Sequence, residues 1–182
     1  HATETIQWTF DEIIKKKHSK DLILFLDSDM FLLDDFNISE YMKDTVISGL
    51  PQIRGHVKYM WNGIMFFNME KVFEIDSNLN FSDGMVDGEL TDIGGHFYYY
   101  FKKNNVIMKE TTVTYPSEFE GIDLQNEGIT KGFNFELHLD DKFLHYRAGT
   151  NWHTQENWKS KEDPLAKKAE IFNKIIGDFL ND

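Results

Sequence analysis

The chain contains no cysteine. Disulfides, thiolate nucleophiles and thiolate metal sites are therefore excluded, and the expected location is the reducing cytoplasm, a cytoplasmic protein. No apolar run approaches the roughly 20 residues that a membrane-spanning helix needs, so no transmembrane segment is expected. Positive charge is scarce: 19 Lys and Arg stand against 31 Asp and Glu, for a net charge of −12. Such a surface repels phosphate backbones and anionic membranes, which argues against nucleic acid as a partner. An anionic nucleotide substrate would need a local positive charge, most simply a metal ion. Repeats, low-complexity tracts and linkers are also lacking, so residues 1–182 are expected to form a single domain. The chain starts at His1 and not at a methionine, which predicts a piece of a longer protein.

What is present centres on Leu22–Asp29, LILFLDSD. Five apolar residues running into Asp27-Ser28-Asp29 predict a strand buried on both faces, with two carboxylates at its carboxyl end. Ligands of open α/β sheets bind in that crevice. Two acids one residue apart are hard oxygen ligands able to grip a divalent cation, and a solvated turn after a strand is the other reading.

Around this strand the periodicity alternates between helix and sheet. Ile6, Phe10, Ile13 and Ile14 predict an amphipathic helix over Thr3–Lys20, capped by Lys15–Lys17 at its negative pole. Thr45–Leu50 and Ile64–Phe67 predict strands, with Trp61-Asn62-Gly63 as the turn before the second. Gly63 would let a ligand approach the backbone and Asn62 would hydrogen-bond it, or both are turn chemistry alone. Asn68 is placed to cap a short helix. Residues 76–92 form a long acidic loop leading to a helix near Ile93–Lys103, with Gly94-Gly95 at its start. Phe135–Leu139 and Lys142–Tyr146 predict a hairpin around Asp140-Asp141. Asp163-Pro164 opens a closing helix whose apolar stripe is Leu165, Ala169, Phe172, Ile176, Phe179 and Leu180.

Four pieces occur in a fixed order: the strand ending in Asp-Ser-Asp, the Trp-Asn-Gly, an acid at a helix start, and His145 in Phe143-Leu-His-Tyr. In that order they resemble the nucleotide-sugar glycosyltransferases of the GT-A fold, over about residues 4–152. The resemblance implies a mixed, mostly parallel α/β central sheet with flanking helices, lacking the first βαβ segment. Its open edge would invite a homodimer. It implies that Asp27, Asp29 and His145 bind Mn²⁺ or Mg²⁺ on the diphosphate of a nucleotide-sugar donor. Asn62 and Gly63 would border the donor sugar, and Asp92, with Glu89 second, would be the base that deprotonates the hydroxyl of a carbohydrate or other acceptor. Trp61 and Trp152 can stack on a sugar, Gly94 can allow close approach, and Arg147 can pair with phosphate. The bland readings stay open: Trp61 and Trp152 as core, Asp92 as a helix N-cap, Arg147 at the surface and His145 in a packed turn.

Sugar transfer to a hydroxyl is therefore the expected function, with two rivals. A haloacid-dehalogenase-like phosphatase would use Asp27 as nucleophile and Asp29 as acid/base, with Asp83 and Asp87 at its metal. Against that, Met30-Phe31 stands where that family has smaller residues. The other rival is a non-catalytic glycan- or nucleotide-binding fragment.

Overall fold

A computed structural model describes residues 2–119, 121–127, 129, 135–147 and 164–179. In chain order the elements are α1 (Ala2–Trp8), a π-helical stretch (Thr9–Ile14), α2 (Lys15–Lys17), β1 (Leu22–Leu26), β2 (Met30–Leu32), α3 (Ile38–Tyr41), β3 (Ile47–Arg54) and β4 (Val57–Asn68). They continue as α4 (Met69–Ile75), β5 (Gly84–Val86), β6 (Glu89–Thr91), α5 (Phe97–Asn104), β7 (Lys109–Glu110) and β8 (Val113–Thr114). The last are β9 (Glu118–Phe119), β10 (Ile122–Asp123), β11 (Glu136–His138), β12 (Phe143–His145) and α6 (Pro164–Phe179). They fall into two compact units, residues 1–27 with 37–111, and residues 28–36 with 112–182.

The first unit is built on a four-stranded sheet of order β1-β4-β3-β7. Its β3–β4 hairpin turns through Gly55-His56, and Gly55 takes φ +53°, which glycine adopts without steric cost. The side chains of Asn37 and Asn68 accept from the backbone N–H of Glu40 and Lys71, satisfying donors that the first turns of α3 and α4 leave open. Against the sheet packs an aromatic core of Phe10, Phe67, Phe81 and Phe97, with Phe25 from β1 beside them. Phe10 and Ile14 point inward because the helical run from Ala2 to Lys17 is amphipathic as expected, although its middle turns are π-helical and it stops before Lys20.

The second unit contains a sheet of order β2-β12-β11-β8, antiparallel throughout. Alternation divides its two faces. Phe31, Leu137 and Leu144 point to one side and join Phe135, Ile171 and Ile175 in a core. Glu136, His138 and His145 point to the other. The turn between β11 and β12 carries Leu139, Asp140 and Asp141 at φ +54°, +52° and +67°. On α6 the buried stripe is Lys168, Ile171 and Ile175 with Phe172 half-buried, one step round from the apolar stripe read in the sequence. Trp152, Asp163 and Leu180 lie outside the described residues.

The expected mixed, mostly parallel central sheet with flanking helices, as in a GT-A fold, is not what the chain forms. Among the described residues its sheets are small and antiparallel, and the one parallel pairing, β3 with β7, extends over two residue pairs. Parallel neighbours need long crossovers, whereas here β3 and β4 are joined by a two-residue loop. β1 illustrates the misreading. Its unbroken apolar run suggested burial on both faces, yet it ends its sheet, pairs with β4 antiparallel, and leaves Leu26 41% exposed.

Two local expectations also change. Trp61-Asn62-Gly63 is no turn. It lies within β4, at the irregularity where the partner of Gly49 is Met65 and that of Pro51 is Met60, a bulge on the β4 side. The Trp61 ring occupies the place where a Cβ on Gly63 would stand, 2.0 Å from the nearest ring carbon. The loop over residues 76–92 holds the β5–β6 hairpin, turning at Asp87-Gly88 with φ +50° and +88°.

Gly94 illustrates a glycine required by packing. At φ +92° a Cβ there would stand 2.3 Å from the Met60 carbonyl oxygen, a backbone atom that cannot swing away. Gly94→Ala is expected to cost about 2 kcal/mol or more, through the strained φ and that clash. At about 2–4 °C per kcal/mol, thermal unfolding should show a clear drop; an unchanged midpoint would refute the packing role.

Candidate metal centre

The hairpin register builds the site. Glu136 and His138 are two apart on β11 and so share a face, while the pairing of Glu136 with His145 brings the second imidazole across the strand gap. Met30 on β2 pairs with His145 from the other side, and the Tyr146 N–H donates to the Asp29 carbonyl at 2.9 Å. Asp29 is thereby delivered to the same end of the sheet. All four side chains are buried: Asp29 8%, Glu136 7%, His138 0% and His145 6% exposed.

Glu136 is the hub. Its Oε2 lies 2.6 Å from His145 Nδ1 and 3.6 Å from His138 Nε2, and its Oε1 lies 3.2 Å from an Arg147 guanidinium nitrogen. The opposite nitrogen of His145, Nε2, lies 3.5 Å from Asp29 Oδ1. Burial alone would raise the Glu136 carboxyl. Hydrogen bonds with His138 and His145 and the charges of His145 and Arg147 outweigh it and hold the group at about 2. Burial likewise opposes the imidazolium of His145, but hydrogen bonds to Asp29 and Glu136 raise its pKa above the usual histidine value. The cluster thus gathers two carboxylates in a low-dielectric setting, where they are tolerated only beside positive charge, here His145 and Arg147. Glu136, His138 and His145 can each offer a ligand atom within 4.8 Å of the others, a set suited to one divalent ion.

Of the expected metal ligands, Asp29 and His145 come together here. Asp27 belongs to the first unit, where its N–H donates to the Gly63 carbonyl at 2.9 Å. Asp92 is 58% exposed and bound to Arg54 at 2.9 Å, and its N–H donates to the Tyr59 hydroxyl. It does not cap α5, since the residue at that N-cap is His96. The Glu89 carboxylate lies over Gly55, 3.8 Å from His56 Nδ1. Asn62 and Trp61 are half-buried in the β4 bulge. Asp87 is tied to His56 and to the Tyr98 hydroxyl at the β5–β6 turn. Glu136, His138 and Lys168 were missed in the sequence. The Glu-x-His spacing on an expected strand, opposite His145 in an expected hairpin, was the available signal for the first two.

Lys168 is buried on α6, where it donates to the carbonyls of Tyr146 at 3.0 Å and Arg147 at 2.7 Å. Its ammonium also lies 4.4 Å from the Tyr146 ring centroid, so it clamps the chain directly after His145. No family model, no curated protein and no solved structure matches this chain. Among the described residues no helix is long and apolar enough to cross a membrane.

Burial pushes the Lys168 pKa down to about 8, from 10.5. Between those values the unfolded chain holds a proton that the folded chain has lost, so stability rises with pH through that window. Lys168→Met should flatten this rise, a difference on the order of a few kcal/mol in chemical unfolding at pH 10.5 relative to pH 8. Parallel pH profiles for variant and wild type would contradict the buried-lysine account.

Proposed function

We propose that the chain carries out metal-dependent transfer of a sugar from a nucleotide-diphosphate donor to an acceptor hydroxyl. The observation that carries the reading is the meeting of Asp29 with His145 at the buried end of β2 and β12, 3.5 Å apart and beside Glu136. The donor set fits a divalent ion: two carboxylates and two imidazoles, already gathered and desolvated. Bound there, a divalent ion such as Mn²⁺ would supply Lewis-acid neutralisation of a nucleoside diphosphate leaving group.

The protein's own groups position the ion and the donor. Glu136, His138 and His145 would hold the ion, with Asp29 beside His145 Nε2. Arg147, 43% exposed and paired with Glu136, can exchange part of that pairing for a phosphate oxygen.

Turnover of nucleotide-sugar donors with Mn²⁺ present is the direct test. Chelation should abolish it and added metal restore it. Glu136→Gln should lose metal-dependent turnover. Phosphate release from simple monoesters without sugar transfer would assign a phosphatase instead. Metal-dependent donor binding with no turnover would make the chain a binding module.

A further inference from the structure

The donor atoms of this cluster can be apportioned, on the premise that the metal-dependent reading above holds. We propose that Glu136, His138 and His145 form a three-ligand site for one first-row transition ion, and that Asp29 orients His145 without binding the ion. His145 presents two ring nitrogens on opposite edges, Nδ1 toward Glu136 at 2.6 Å and Nε2 toward Asp29 at 3.5 Å. One ring cannot give both nitrogens to one ion. Binding through Nδ1 uses the nitrogen that already faces Glu136 Oε2, itself 3.6 Å from His138 Nε2, in a cluster that offers one ligand atom from each residue within 4.8 Å. Nε2 instead faces Asp29 Oδ1, on the ring edge opposite the one that faces Glu136.

The remaining groups take up supporting positions around that choice. With Nδ1 on the ion, the Nε2–H donates to Asp29 Oδ1, a carboxylate fixing the tautomer of a ligating histidine. Glu136 binds through Oε2, because its Oε1 is committed to Arg147 at 3.2 Å. Bonds of about 2.0–2.2 Å place neighbouring tetrahedral ligands roughly 3.3–3.6 Å apart. The 3.6 Å separation of Glu136 and His138 already matches, and the 2.6 Å hydrogen bond to His145 opens by less than about 1 Å. Three protein ligands leave a position for an oxygen from outside the chain, such as a diphosphate oxygen.

The donor chemistry selects the ion. Two imidazoles and one carboxylate suit Zn²⁺, Co²⁺ or Mn²⁺, whereas Mg²⁺ demands a near-octahedral shell of oxygens and Ca²⁺ a larger one. The full chain, stripped of metal with a chelator, is titrated by calorimetry with Zn²⁺, Co²⁺, Mn²⁺ and Mg²⁺, and its visible spectrum is recorded with Co²⁺. One Zn²⁺ or Co²⁺ per chain is expected, at least about 100-fold tighter than Mg²⁺, with the intense visible bands of low-coordinate Co²⁺ bound to nitrogen. His138→Gln and Glu136→Gln should each weaken Co²⁺ by about 10³-fold or more, and Asp29→Asn by about 10–100-fold, the range for an orienting carboxylate. Mg²⁺ binding as tightly as Co²⁺, or a pale octahedral Co²⁺ spectrum of the wild type, would overturn the assignment without needing any variant. So would Asp29→Asn abolishing binding while His138→Gln leaves it intact; in that case metal-dependent sugar transfer survives with Asp29 as a direct ligand. Tight three-ligand binding without donor turnover leaves the site standing and removes the transferase.

Discussion

The register of β11 against β12 governs the second unit. Pairing Glu136 with His145 sets all three polar side chains on one face and sends Leu137 and Leu144 to the other, into the core with Ile171 and Ile175. A slip of one residue along β11 would drive the Glu136 carboxylate and the His138 imidazole into that core and expose Leu137, so burial on both faces enforces one register. The turn helps to hold it. The Lys142 N–H donates to the Leu139 carbonyl, and Leu139 and Asp140 donate to Thr112, fastening the left-handed run between the strands.

That register also creates an electrostatic problem and most of its answer. A buried carboxylate is tolerated only with partners, and Glu136 has His145, His138 and Arg147 around it. Within the chain the positive charge comes from Arg147 and from a His145 whose protonated form the neighbouring carboxylates favour. A divalent ion would take over that charge, displacing the proton as metals do at histidine ligands. Lys168 brings a further cation into the same unit, but spends its hydrogen bonds on backbone carbonyls.

The first unit follows a different logic. Its core is aromatic, tied together by tilted and edge-on contacts among Phe10, Phe25, Phe67, Phe81 and Phe97. The chain meets this core by bending β4 at its bulge, where the Trp61 ring fills the space above Gly63 and Gly94 fits beneath the Met60 carbonyl. Glycines that read in the sequence as openings for a ligand are, in the fold, sites of close internal packing.

Local features were legible in the amino-acid sequence. The apolar run of β1, the hairpin around Asp140-Asp141, the Asn68 cap and the amphipathic first and last helices all follow from side-chain periodicity and turn chemistry, which act over a few residues. Asp29 and His145 could be singled out because each closes a short apolar stretch. Strand partners were not legible. Periodicity tells which side chains share a face, but not which strand lies alongside or in which direction it runs. The parallel sheet inferred from β1 therefore gave way to antiparallel pairing with β4, and Leu26 proved exposed. For the same reason only the tertiary structure could set Glu136 and His138 against His145, or place Lys168 over the chain that follows. Those meetings join residues distant in sequence, and the burial and pairing energies that choose them belong to the folded unit as a whole.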